Sequence, residues 1–269
     1  MDETFTVATA TLIFCAIEII VQQCLYKGQS KFEIVPFSHA LFAAVASFYV
    51  VLFTFDRPTD YILHILHQDE PQMLERIVPM VTFGYSVWDI GNGLYTGDAT
   101  FLYHGVVLFA VCGSLYYFNS LHLMTGPLLM ELSTVFLNLL EFDSFLIKLS
   151  FLFSFLIMRW LIIPYLWAYY IIQSFYYHIG STRKEAGSPI PEDFVVLFGG
   201  IAFHALNIYW GIKILRKAGR HYTRYLKENK KMGRAKQPSN MFVSNFGKRN
   251  EEEPGILQQF WNMIPDCED

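Results

Sequence analysis

The stretch FLIKLSFLFSFLIMRWLIIPYLWAYYIIQ, Phe145–Gln173, decides the fold class. A helix needs about 20 mostly apolar residues to cross the hydrocarbon core of a bilayer, and this run exceeds that length. Arg159 lies near its middle, with Pro164 close behind. Proline removes an N–H and crowds the preceding turn, so a kink is predicted at Pro164. The segment is too long and too apolar for a surface helix of a soluble domain and reads as a membrane span.

Six further segments read the same way. Residues 6–25 and 36–55 are apolar, the second opening on Pro36, whose missing N–H is harmless at a helix start. Residues 76–95, RIVPMVTFGYSVWDIGNGLY, carry Asp89, Asn92 and three glycines. That polar content suits a helix enclosed by others better than one facing lipid. Residues 101–118, 121–140 and 194–215 complete the set. The predicted architecture is all-α, a multi-pass transmembrane bundle of about seven spans around a central polar cavity.

Composition agrees. Of 269 residues, 53% are hydrophobic, 17% aromatic and only 16% charged, against about 25% charged in an ordinary soluble domain. The charges number 20 basic and 24 acidic, and 17 of these 44 lie from Lys217 onward, leaving 27 for the first 216 residues. Nucleic-acid binding and intrinsic disorder are excluded. Cys15, Cys24, Cys112 and Cys267 form no CxxC pair or framework, so neither a disulfide scaffold nor a metal site is expected, and no cofactor is implied. The opening MDETF is acidic where a secretory signal is basic, and the following run reads as a retained helix.

Lys213 to Lys236 holds ten basic residues and one acid, which predicts a cytosolic C-terminus and, with seven crossings, a lumenal N-terminus. Lys27 and Lys31 agree with that orientation; Arg183 and Lys184 fall on the other side. The basic stretch is either a positive-inside stop signal or a contact for anionic headgroups at roughly 1 kcal/mol per residue. Residues 180–193, GSTRKEAGSPIPED, read as a loop. In the tail, Phe260 and Trp261 are expected interfacial anchors. The chain divides into an N-terminal helix and linker (1–35), a membrane domain (36–217) and a basic-then-acidic cytosolic tail (218–269).

An ionisable group in mid-membrane costs roughly 2.5–3.5 kcal/mol on insertion scales, so each asks for a partner or a wet cavity. The candidates are Glu18, His39, Asp89, His104, Glu131, Arg159 and His204. Three carboxylates meet one arginine, so some must be protonated, bonded to neutral partners or hydrated. Glu131, Thr134 and Asn138 recur at i, i+3 and i+7, a single helical stripe expected to face inward. Asp89 makes a similar patch with Asn92 or Gly93, and His104 sits about one turn inside its span. Together His39, Asp89, His104, Glu131, Ser133, Asn138 and Arg159 could line one polar chamber. They could equally be interhelical glue, worth about 0.6 kcal/mol each, and the residue pattern leaves both readings open. His104 beside a carboxylate could act as general base or nucleophile, with Asp89 orienting it. His67, His178 and His221 lack metal-ligand spacing, and His204 with Asn207 reads as a packing histidine.

The runs FSHA (37–40), GYSVWDI (84–90), FLYHG (101–105), LLMELSTVFLNL (128–139), FLIMRWLIIPYLWAYY (155–170) and NIYWGIKILRK (207–217) together resemble the TLC family, which includes the TRAM, Lag1 and CLN8 proteins. The ELSxxFLN run, followed by an Arg and a Pro-Tyr, is similar to the TLC-domain-containing proteins of the transmembrane-protein-56 type. The resemblance implies an endoplasmic-reticulum or related membrane, and inner helices around a lipid-sized cavity. It also implies a membrane lipid as partner: a phospholipid, a sphingoid base or a fatty acyl chain. In the ceramide synthase branch it would imply acyl transfer from acyl-CoA, using a His pair and acidic residues. Here Tyr103-His104 stands at the His pair, and ELSTVFLN replaces the acidic segment. Val135 stands where the other branch usually has Pro. The expected function is lipid homeostasis, binding or sensing a lipid and influencing phospholipid composition. One alternative is an acyltransferase using acyl-CoA, with His104 and Asp89 catalytic. Another is a seven-span receptor or transporter, although the third span lacks Asp-Arg-Tyr and the seventh lacks both Asn-Pro-x-x-Tyr and a mid-span Lys.

Overall fold

The computed structural model describes residues 3–21, 33–66, 70–142, 144–180 and 191–235, and among these there is no strand. The chain opens with α1 (Glu3–Ile20) and α2 (Ile34–Phe48), the latter prolonged by a π-helical stretch, Tyr49–Phe53. A short α3 (Pro58–Leu66) precedes α4 (Met73–Thr96) and α5 (Ala99–Tyr117). Two 3-10 turns, Leu121–Met124 and Pro127–Met130, lead into α6 (Glu131–Asn138), which a third, Leu139–Phe142, prolongs. Then come α7 (Phe145–Ser154), a π-helical stretch Phe155–Ile162, α8 (Ile163–Gly180) and α9 (Pro191–Ala235).

Five of these segments are long and apolar enough to cross a membrane: Glu3–Ile20, Ile34–Phe53, Leu121–Phe142, Leu146–Tyr176 and Asp193–Arg216. Phe101–Tyr117 is apolar but shorter. α4 is the polar exception, and its position explains how the fold accommodates it. It packs against α1, α2 and α5, burying Val78, Thr82, Phe83, Ser86, Trp88 and Asp89. A helix with such content is tolerated where its polar groups meet protein partners instead of acyl chains.

Close packing around α4 depends on glycine. A Cβ on Gly84 would sit 2.7 Å from both the Ala10 Cβ and the Val7 carbonyl of α1. Thr11 fills this contact by directing its hydroxyl at the Gly84 carbonyl, 3.0 Å away. Toward α5, a Cβ on Gly105 would lie 2.7 Å from the Ile90 nitrogen, and one on Gly93 would overlap the Leu102 backbone. Small residues at such crossings let two membrane helices approach backbone to backbone. α4 starts on a capping box, Gln72 with Glu75, and ends at Gly97, whose φ of 75° is the left-handed conformation that closes many helices. On α2, the buried alanines Ala40, Ala43, Ala44 and Ala46 permit similar closeness to α4 and α6.

Ahead of Pro164, where a kink is predicted, lies the eight-residue π-helical stretch Phe155–Ile162. α9 runs on through the basic stretch to Ala235. The loop predicted over 180–193 has helical ends, Gly180 in α8 and Pro191 in α9, and residues 181–190 lie outside the described residues. Lys27, Lys31, His67, Phe260 and Trp261 lie outside them too. Cys15 and Cys112, the two cysteines within them, are free thiols.

Candidate functional site

The glycine contact between α4 and α5 has a chemical result. With Gly105 against Ile90, the neighbouring His104 reaches across so that its Nδ1 lies 2.5 Å from the Asp89 Oδ2. Asp89 is completely buried (0%), whereas the His104 side chain is 53% exposed. An ionised Asp89 accepts the Nδ1 proton, which fixes the ring and leaves the Nε2 lone pair free on the more open side. The other Asp89 oxygen, Oδ1, is buried and has no hydrogen-bond partner of ordinary geometry, although Tyr85 approaches the same carboxyl from one turn earlier.

Tyr85 links this pair to α2. The His39 ring stacks on Tyr85 with 4.0 Å between centroids and 2° between planes. His39 is buried, and its Nε2 lies 3.1 Å from the Thr82 hydroxyl. Thr82 spends its only proton on the Val78 carbonyl, 3.0 Å away, so His39 must be the donor.

A second group of contacts joins α6, the π-helical stretch and α9 around Arg159. Its Nε donates to the Ser133 hydroxyl (2.7 Å), Nη2 to the Thr134 hydroxyl (3.0 Å) and Nη1 to the Asn207 Oδ1 (3.1 Å). The guanidinium also lies 5.6 Å from the centre of the Phe155 ring. All three acceptors are neutral, and no described carboxylate comes within ion-pair distance of Arg159. Asn207 is held by a further bond, from the Trp160 indole to its carbonyl (3.3 Å), and its own Nδ2 is buried without an acceptor.

Glu131 lies between the two groups. It is buried, at the first position of α6, and within electrostatic reach of His39, Asp89, His104 and Arg159. Of the expected lining residues, His39, Asp89, His104, Glu131, Ser133 and Arg159 therefore gather in one neighbourhood. Asn138 turns away from it, giving its amide to the Thr134 carbonyl of its own helix (2.9 Å). The stripe through Glu131, Thr134 and Asn138 is thus used only over its first turn, since the amide of Asn138, the last residue of α6, is spent on its own helix. Glu18 lies near the end of α1. His204 packs against Trp167, ring centres 5.0 Å apart, with a buried Nδ1 that has no partner.

Three participants, Thr82, Tyr85 and Asn207, were not expected as lining residues. Thr82, Ser86 and Asp89 share one helical face, a polar stripe at i, i+4 and i+7 that periodicity alone reveals. Two buried charges also escape the membrane-span list. Lys148 is on α7, and Glu75 accepts from the Gln72 backbone (2.6 Å) and faces the His64 ring (3.3 Å) at the start of α4. Among the described residues no set of three or more His, Cys, Asp or Glu is arranged to hold a metal ion.

What the cluster can do chemically follows from its parts. Asp89 and His104 form an oriented carboxylate–imidazole unit; Arg159 and Asn207 present N–H donors in an apolar setting. No curated protein and no solved structure matches the chain significantly. The family model of the TLC domain, TRAM, LAG1 and CLN8, matches residues 32–216, which include every residue of the cluster. The chain belongs to the TLC family, multi-pass membrane proteins linked to lipid metabolism or sensing.

Proposed function

We propose that this protein binds or senses a membrane lipid whose headgroup lies among Asp89, His104, Glu131, Ser133 and Arg159, with acyl chains between the helices, and that through this site it influences phospholipid composition. One observation supports the reading above others: two buried polar atoms of the cluster, Asp89 Oδ1 and Asn207 Nδ2, have no hydrogen bond of ordinary geometry. Buried polar groups are nearly always satisfied, and groups that serve only as interhelical glue would satisfy one another. A polar headgroup supplies what they lack.

In this reading the membrane domain spans 36–217, after an N-terminal helix and linker and before a cytosolic tail from 218. Seven crossings place the N-terminus in the lumen, and the endoplasmic reticulum is the membrane. The branch is the transmembrane-protein-56-like one, and the helices enclose a central polar cavity. Alanine at Glu131 or His104 is expected to alter the phospholipid profile of cells that express the protein. Unchanged profiles with a stably folded variant would make the cluster structural only.

The Asp89–His104 contact favours one second reading, acyl transfer from acyl-CoA. With Asp89 holding Nδ1, Nε2 is placed to take the proton of a lipid amine or hydroxyl as that group attacks the thioester carbonyl and the C–S bond to CoA breaks, CoA leaving as the thiol. Purified protein given acyl-CoA and a sphingoid base would then release product, and His104→Ala would stop it; no turnover by the wild type removes this reading.

A further inference from the structure

Arg159 is the focus. An arginine carries five N–H donors, and three are engaged by Ser133, Thr134 and Asn207, leaving two on the Nη atoms. The bond from Nη1 to Oδ1 fixes the Asn207 amide with its oxygen toward Arg159, so the orphaned Nδ2 is the adjacent atom on the same amide. Asn207 is only 1% exposed. A positive charge with neutral contacts keeps its field, and unfilled N–H groups beside it ask for acceptors.

We infer that Arg159 and Asn207 form a binding subsite for an oxyanion carried by a lipid, a phosphate or a carboxylate. The inference rests on the proposal that the cluster binds lipid and adds the chemistry of the part bound. Ser133 and Thr134 act as positioning residues: their hydroxyl oxygens hold the Nε and Nη2 edges of the guanidinium, so that its remaining N–H groups keep one direction.

The test uses the full chain in neutral detergent and native mass spectrometry, with pairs of ligands that differ only in charge. Dioleoyl phosphatidic acid is set against dioleoylglycerol, and oleate against oleyl alcohol. The expected result is at least about a tenfold preference for the charged member of one pair, the size of a charge-assisted hydrogen-bond set. The pair that shows it identifies phosphate or carboxylate as the anion, and competition by inorganic phosphate would assign the site to a free anion and overturn the lipid source. Arg159→Gln should erase the preference. Asn207→Asp should erase it as well while preserving the thermal midpoint, because the new carboxylate pairs with Arg159 from within. Binding of both members equally, or a preference that survives Asn207→Asp, overturns the subsite and leaves lipid binding intact. Failure of the wild type to bind any of the four lipids overturns both.

Discussion

Asp89 and Arg159 are both charged side chains on helices surrounded by apolar residues, and their surroundings differ in kind. Asp89 has an oppositely chargeable partner, the His104 ring at 2.5 Å, held there by two helices in glycine-mediated contact. Arg159 has only hydroxyl and amide acceptors, drawn from two helices, α6 and α9. The first arrangement is internally complete on one carboxylate oxygen, with the His104 side chain half-exposed. The second leaves a charge balanced only at a distance. One half of the cluster is thus built around a chargeable pair and the other around a single cation with neutral acceptors.

The largest effect should come from breaking the scaffold of the pair. Gly105→Leu places a side chain where even a Cβ meets the Ile90 backbone, so α4 and α5 must separate. A loss of about 2–3 kcal/mol is expected, seen as a lower thermal midpoint in detergent, together with loss of any lipid effect that depends on His104. An unchanged midpoint would show that the helices have room to spare.

Next comes the pair itself. Asp89→Asn keeps the shape and removes the acceptor charge, at a cost of about 1–2 kcal/mol. The His104 ring should also lose its fixed tautomer, which nitrogen-15 NMR of labelled histidine reads directly. Arg159→Met sharpens the contrast, since replacing an unpaired charge by an apolar side chain of similar length is expected to cost only about 1 kcal/mol. A cost above about 3 kcal/mol would make Arg159 a structural clamp. The smallest effect belongs to Thr82→Val, which deprives His39 of its acceptor at about 0.5–1 kcal/mol and should leave the Arg159 half untouched.

Much of the helical plan was legible because membrane crossing demands long apolar runs, and those runs are explicit in the chain. The boundary at 145 matches the start of α7, the one at 36 lies two residues inside α2, and the one at 121 opens the 3-10 turns ahead of α6. α3 passed unseen although Pro58 at a helix start and the apolar Tyr61, Ile62 and Ile65 signal it; nine residues are too short for a hydropathy reading. The continuation of α9 was hidden because its basic residues look like tail, yet Lys and Arg are good helix formers. Within the site, Glu131 and Arg159 were legible as charges out of place. The role of Asn207 was not, because an amide gains meaning only from the guanidinium that fixes its orientation. Asn138 departs because its amide bonds the Thr134 carbonyl one turn back on the same helix, a local choice that sequence period does not carry.

The central claim, a lipid headgroup seated among these polar groups, is tested most directly by native mass spectrometry of the protein as it leaves the membrane in mild detergent. A co-purifying lipid mass on the wild type, depleted in Glu131→Ala at an equal thermal midpoint, is the predicted result. A lipid-free wild type, or equal lipid on both proteins, would contradict it.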